Sequence, residues 1–209
     1  ELDVGVLTGA VTASIVVDDI RIGDIVDLAY TVVGQNPVMA NKVSQIISWD
    51  SNFPIQRRRI ILSTPENRNI NYRVLGSGTD PIQIKTQKAG GRKITRFDGE
   101  NIPPVDFEPY APNDIIQFRE IQFSEYKDWR QVALWANELF KIDKSFPEVD
   151  QITASMLVTN NEEEMVRNAL RYVQSEIRYL SVSIGENSHK PYRPDLVLAR
   201  RYGDCKDKA

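Results

Sequence analysis

The chain has 209 residues, 41% of them hydrophobic and 26% charged, with a formal net charge of −3. That composition is globular and long enough to bury a core unaided, and it excludes a disordered chain and a strongly basic nucleic-acid binder. One cysteine, Cys205, and one histidine, His189, exclude an internal disulfide and a zinc site, which takes about four protein ligands. No metal or cofactor is expected.

The chain opens at Glu1-Leu2-Asp3 without Met or a signal-peptide pattern, which reads as a trimmed or processed start and is compatible with an export signal removed earlier. No run of about 18 apolar residues occurs, so no membrane span is expected. Strand signals come first. Val11 to Val17 is β-branched and apolar in short alternation, and residues 20–33 alternate over two strands about a turn at Gly23-Asp24. Further strands are expected over 42–49, 56–63, 70–75, 82–88 and 92–97. Between them lie turn residues: 76–81, Gly90-Gly91 and Asp98-Gly99. Turns every 8 to 12 residues or so are the pattern of an antiparallel sandwich. The run Arg57-Arg58-Arg59 reads as a solvated strand end. Gly90-Gly91 lacks the helix context of a phosphate loop. Pro103, Pro104, Pro109 and Pro112 then favour extended coil, either a linker or a strap across the sheet.

Helical periodicity follows. Trp129, Val132, Ala133, Ala136, Leu139 and Phe140 share one face, with Ser124 or Asp128 as the candidate cap and with Trp129 and Trp135 expected to pack. A second helix is expected from about Glu162 to Leu180, capped by Asn160 or Asn161. Glu162, Glu163 and Glu164 lie in its first turn, where the dipole favours negative charge, and they are no metal box. A third is expected from Pro194 to Tyr202, ended by Gly203. The fold class is therefore α+β: a β-rich domain over 1–123, a connecting helix and linker over 124–160, and a helical module over 161–209.

The chemistry concentrates in Tyr202-Gly203-Asp204-Cys205-Lys206-Asp207-Lys208-Ala209. Gly203 permits a turn with positive φ, Asp204 is a good N-cap, and Asp207 stands where a capping box needs it. Cys205 then occupies the first turn of a helix, where free amides, the dipole and the flanking Lys206 and Lys208 would stabilise a thiolate. The thiolate is the nucleophile, so this is a physically reasonable seat for one.

This segment resembles the nucleophile segment of the transglutaminase-like superfamily, in which a Gly-x-Cys sits at a helix start. Residues 169–180, 184–191 and 194–201 extend the likeness. Together they resemble a bacterial subgroup in which a transglutaminase-like core follows an N-terminal β domain of unknown function. Residues 23–32 and the Trp129 to Leu139 helix are similar to that domain. The resemblance implies a papain-like Cys, His and Asp arrangement acting on a peptide or protein amide, in an extracytoplasmic setting. Only the Cys carries over, onto Cys205, because the family's His and Asp lie downstream of it. His189 precedes the Cys and is not that base. Substrate-cleft candidates are Asn187, His189, Tyr202, Gly203 and Asp204.

Three functions stay open. The parent protein is a cysteine protease, amidase or cross-linking enzyme of which this chain is an inactive fragment. Alternatively, the β domain is a glycan- or protein-binding module and the cysteine segment is degenerate. In the third reading the sandwich is a folding or docking scaffold. No nucleic-acid partner is expected. Residues 200–209 are expected to pack poorly, or to seat on the β domain or on a second copy.

Overall fold

The computed structural model describes residues 14–112, 114–142, 144–156, 161–181 and 183–209. They form two compact units, Met39–Glu138 and a second that joins residues up to Val38 with Leu139–Ala209. The α+β class read from the sequence is the class observed, with antiparallel sheets ahead of the helices.

The first unit is built on six strands: β1 (Ser44–Ser48), β2 (Ile55–Pro65), β3 (Asn71–Leu75), β4 (Gln83–Ala89), β5 (Arg92–Ile102) and β6 (Glu120–Ser124). They make two three-stranded antiparallel sheets, ordered β1-β6-β3 and β2-β5-β4. Alternation decides which side chains meet between the sheets. Along β5 the buried residues are Thr95, Phe97, Gly99 and, at its end, Ile102, with Arg96 and Asp98 on the face opposite the first three. Phe97 meets Phe123 of β6 edge-on at 5.7 Å and Tyr72 of β3 at 4.9 Å, so the two sheets share one core. Trp49, Phe97, Ile102 and Ile121 are its fully buried members. Burying each of these stabilises the fold by about 1.5–3 kcal/mol relative to exposure.

β6 is the central strand of its sheet, and the sequence reading placed no strand there. Its signal is only Ile121 and Phe123, two apolar residues in a five-residue strand. The expected turn at Asp98-Gly99 is instead strand interior. Gly99 is a glycine because a Cβ there would lie 2.5 Å from the Trp49 ring. The β4–β5 turn at Gly90-Gly91 is as expected, both glycines having positive φ and Ala89 pairing with Arg92 across them. Residues after Ile102 form a strap in this unit: Val105 N–H donates to Ser51 O (2.9 Å), and Phe107 stacks on Phe118.

One polar cluster is buried here. Arg119 donates through Nε and Nη2 to both carboxylate oxygens of Asp50 (2.7–3.2 Å), and through Nη1 and Nη2 to Asp80 O and Oδ1 (2.7 Å each). Arg119 and Asp50 are 4% and 5% exposed. Burial pushes the Asp50 carboxyl up, but the Arg119 hydrogen bonds and charge outweigh it and hold the group below the usual carboxylate range. Removing one partner of such a pair is costly, because the other charge stays buried.

The expected strands over 20–33 are not observed. The Gly23-Asp24 turn is present, with Asp24 N–H donating to Arg21 O (3.0 Å) and Arg21 N–H to the Asp24 carboxylate (2.8 Å). The arms on either side join no sheet, and Ile22, Ile25, Tyr30 and Val33 are exposed. Alternation makes a segment fit a sheet, but a ladder also needs a neighbouring strand, and these residues have none among those described. The expected Val11 to Val17 strand lies partly outside the described residues; residues 14–17 are not strand.

The helices are α1 (Trp129–Phe140), α2 (Pro147–Met156), α3 (Glu162–Glu176), α4 (Pro194–Arg200) and α5 (Cys205–Lys208). Asp128 accepts from Gln131 N–H (2.9 Å), which settles the α1 cap. Trp129 is 85% exposed, against the expectation that it packs, because it is the first helical residue and lies beyond the packed stretch; Trp135 instead tilts against Tyr126 at 6.0 Å. α2 was not expected; its signals are Pro147 at the start, Glu148 and Asp150 in the first turn, and Val149, Ile152 and Met156 at helical spacing. α3 ends at Glu176, four residues before the expected Leu180, since Ile177 turns extended and Arg178–Tyr179 form strand β7. α4 stops at Arg200 because Arg201 adopts φ 58°, so the stop is Arg201 and not Gly203. No helix of the described residues is long and apolar enough to cross a membrane.

Candidate active site

Strand β8 (Tyr202–Gly203) runs parallel to β7, with Arg178 N–H donating to Arg201 O (2.9 Å) and Leu180 N–H to Gly203 O (3.0 Å). This short ladder delivers the chain to α5. Gly203 is needed for space and not for positive φ: a Cβ there would stand 2.7 Å from the Asp207 Cβ and 3.3 Å from Val197.

The expected capping box is present. Asp204 Oδ1 accepts from Lys206 N–H (3.1 Å) and Asp207 N–H (3.3 Å), while Asp207 Oδ2 accepts from Asp204 N–H (3.1 Å). Asp207 also accepts from Tyr192 N–H (2.7 Å) and Arg200 Nη2 (3.0 Å). Arg200 in turn lies over the Tyr192 and Tyr202 rings, at 3.9 and 4.6 Å. Asp204 is buried, and so is the Asp207 side chain. Cys205, the first residue of the helix, is exposed. Two buried carboxylates thus hold an exposed thiol at a fixed helix start.

The two lysines are occupied. The Lys206 ammonium is ion-paired with Asp204, and the Lys208 ammonium donates to Ile177 O (2.7 Å). Their charges therefore lock the turn, in place of the expected field at the sulfur. Residues 200–209 are also hydrogen-bonded throughout, against the expectation that this end packs poorly; the parallel ladder and the Asp207 hub supply the contacts. In α3, by contrast, no residue is buried, and Val166 and Leu170 are mostly exposed.

The structure gathers Tyr202, Gly203 and Asp204 around Cys205. Asn187 and His189 sit on a separate loop, the 3-10 turn Gly185–Ser188 and the residue after it. His189 Nδ1 is 2.7 Å from Ser188 Oγ, and Asn187 Nδ2 donates to Lys190 O (3.2 Å). Asn36 clamps this loop, donating to Gly185 O (2.6 Å) and Ser188 Oγ (2.8 Å). Sequence reasoning missed Asn36 and Arg200. Asn36 carries no local signal, since its partners are brought close only by the fold, and the part of Arg200 that matters for the hub, its bond to Asp207, likewise depends on the turn between them. A cavity of about 590 Å³ opens beside α5, with Phe140, Phe146, Tyr192, Lys206 and Lys208 among its walls. Among the described residues, no cluster of His, Cys, Asp and Glu is arranged to hold a metal ion.

Comparison with known proteins is consistent with this architecture. A crystal structure described as "a putative protease" from Parabacteroides distasonis superposes with a TM-score of 0.67 at 16% identity, covering 81% of this chain and 33% of that one. The likeness is one of fold, and this chain spans about a third of that protein's length. None of the curated proteins matches the sequence. A family model described as "Domain of Unknown Function with solved-structure structure (DUF3857)" matches residues 1–106, half of the chain, and the chain belongs to that DUF3857 family.

Proposed function

We propose that this chain is the N-terminal part of a transglutaminase-like cysteine enzyme acting on peptide or protein amides, with Cys205 as its nucleophile. The observation that carries the reading is the exposed thiol at the first position of α5, held by the buried Asp204–Asp207 capping box. In the reaction, the Cys205 sulfur attacks the amide carbonyl, a thioester forms, and the amine leaves with a proton. Water or a second amine then takes the acyl group. The base and its orienting carboxylate are contributed by the rest of the protein, and the loop bearing Asn187 and His189 borders the cleft. The likeness in fold to a protein named as a protease supports the class of chemistry.

Iodoacetamide labelling of the full-length protein at pH 6 tests this. Cys205 should alkylate faster than free cysteine, and Cys205→Ser should lose the adduct. Alkylation no faster than free cysteine sinks the reading.

A second reading is a binding module in which the strand-rich unit takes a glycan or protein ligand. The closed core of residues 39–138 favours it, because that unit has buried members of its own. Its ligand would persist after Cys205→Ala.

A further inference from the structure

The hairpin β4–β5 carries five cations, Lys85, Lys88, Arg92, Lys93 and Arg96, with no Asp or Glu between Asp80 and Asp98. This bias stands out in a chain that is acidic as a whole. Register sharpens it. Lys85 lies directly opposite Arg96, and Lys88 opposite Lys93. Directly opposed like charges destabilise an antiparallel pair, so nothing in the folding of the hairpin asks for them. Lys88 finds relief in Glu66, 3.3 Å away. No ion pair relieves Lys85 or Arg96 among the described residues, whereas the neighbouring Arg59 is paired with Asp98.

The same two residues line a cavity of about 400 Å³, together with Thr86, Gln87 and Ile94. Arg96 Nε is buried there without a hydrogen-bond acceptor. A buried guanidinium N–H left unpaired is costly, and it marks a place for an acceptor that the described residues do not supply. Every residue of β4 is exposed, so the strand is open along its length.

We propose that the β4–β5 hairpin binds an acidic polysaccharide, its uronate carboxylates seated between Lys85 and Arg96. Charge complementarity selects a polyanion, and Arg92 lies on the same face of β5 as Arg96, four residues away, so a repeating anion can meet a further cation beyond the Lys85–Arg96 pair. Gln83 and Gln87 lie on the same face of β4 as Lys85, two residues to either side of it, and give the amide partners that sugar hydroxyls need. A single-stranded nucleic acid would want aromatic stacking platforms, and the cavity has none. A membrane surface would want an apolar wedge, and Ile94, half-buried, is the only large apolar side chain in the lining. The site is separate from Cys205 and does not depend on the enzyme reading.

Fluorescence anisotropy of labelled polygalacturonate with this 209-residue chain tests the proposal. Saturable binding is expected at about 0.05 M salt, weakening as salt screens the contacts, with uncharged dextran inert. Arg96→Gln should weaken binding by about tenfold or more, the scale of one lost charge-assisted contact. Lys85→Glu is the decisive variant. It should abolish binding and raise the melting temperature, because it turns a like-charge pair into an opposite-charge one; a misfolded variant would not gain stability. Absent polygalacturonate binding, Lys85→Glu binding unchanged, or equal binding of dextran, duplex DNA or anionic vesicles overturns the proposal.

Discussion

The strand unit and the helical unit make opposite use of similar raw material. In residues 39–138 apolar side chains face one another across two sheets, and Trp49, Phe97, Ile102 and Ile121 lose nearly all contact with water. In the helical unit α2 and α3 bury no residue completely, and among the described residues its buried apolar positions are Val38, Ile177 and Val197. There the order comes from polar ties: a capping box, a carboxylate hub at Asp207 and a two-residue parallel ladder. The lesson is that a reactive turn is held in place by hydrogen bonds where a sandwich is held by packing, so the two units should fail under different substitutions.

Breaking the sandwich should give the largest effect. Arg119→Met leaves the Asp50 carboxylate buried and unpaired and should cost about 3–5 kcal/mol in urea unfolding. Phe97→Ala, which empties the meeting point of three rings, should cost a similar ~3–5 kcal/mol. Intact stability in either variant would mean that the core is not what holds this unit. Gly99→Ala, forced against Trp49, should cost about 1–3 kcal/mol by overpacking.

Acid should separate the units next. The folded-state value of Asp50 is lowered from 3.8, so its contribution is fully present above that value and is lost as pH falls through the depressed one. Glu125, lowered from 4.5 first by its hydrogen bond from Arg68 and by the Val43 amide against the opposing effect of burial, behaves in the same sense. The urea midpoint of the strand unit should therefore fall on acidification below about pH 4.5, and Arg119→Met should flatten the part due to Asp50. A midpoint that rises on acidification would contradict the Arg119 assignment.

Smaller effects belong to the helical unit. Asp204→Ala removes the cap and should cost about 0.5–2 kcal/mol, read as faster amide exchange at Lys206 and Asp207 with the strand unit's melting unchanged. Leu170→Ala, on the exposed face of α3, should stay within about 0.5 kcal/mol. A larger loss there would show that something covers that face in solution.

Much of this is legible in the amino-acid sequence. The strands over 44–97 announced themselves through alternation and punctuation, although the continuation of β5 to Ile102 did not. Asp204 and Asp207, three residues apart, announced the capping box, because caps are local interactions. What stayed hidden was non-local. β6 has too few residues to show a period and is central only because β1 and β3 flank it. Residues 25–33 carry a clear strand pattern and form no strand, because period 2 reports fitness for a sheet and says nothing of a neighbour.

For the same reason, the sequence by itself determined the α+β class, narrowed two helix starts to Ser124 or Asp128 and to Asn160 or Asn161, and placed the Asp204 cap with Cys205 in the first turn after it. Only the tertiary structure decided that Gly99 and Gly203 are there to make room for Trp49 and Asp207. It also decided that Arg119 is a buried hub, that Lys206 serves Asp204 instead of the thiol, and that Lys85 and Arg96 stand opposed. Local backbone preferences act within a few residues and are written in order along the chain, whereas contacts between distant residues exist only once the entropy of bringing them together has been overcome.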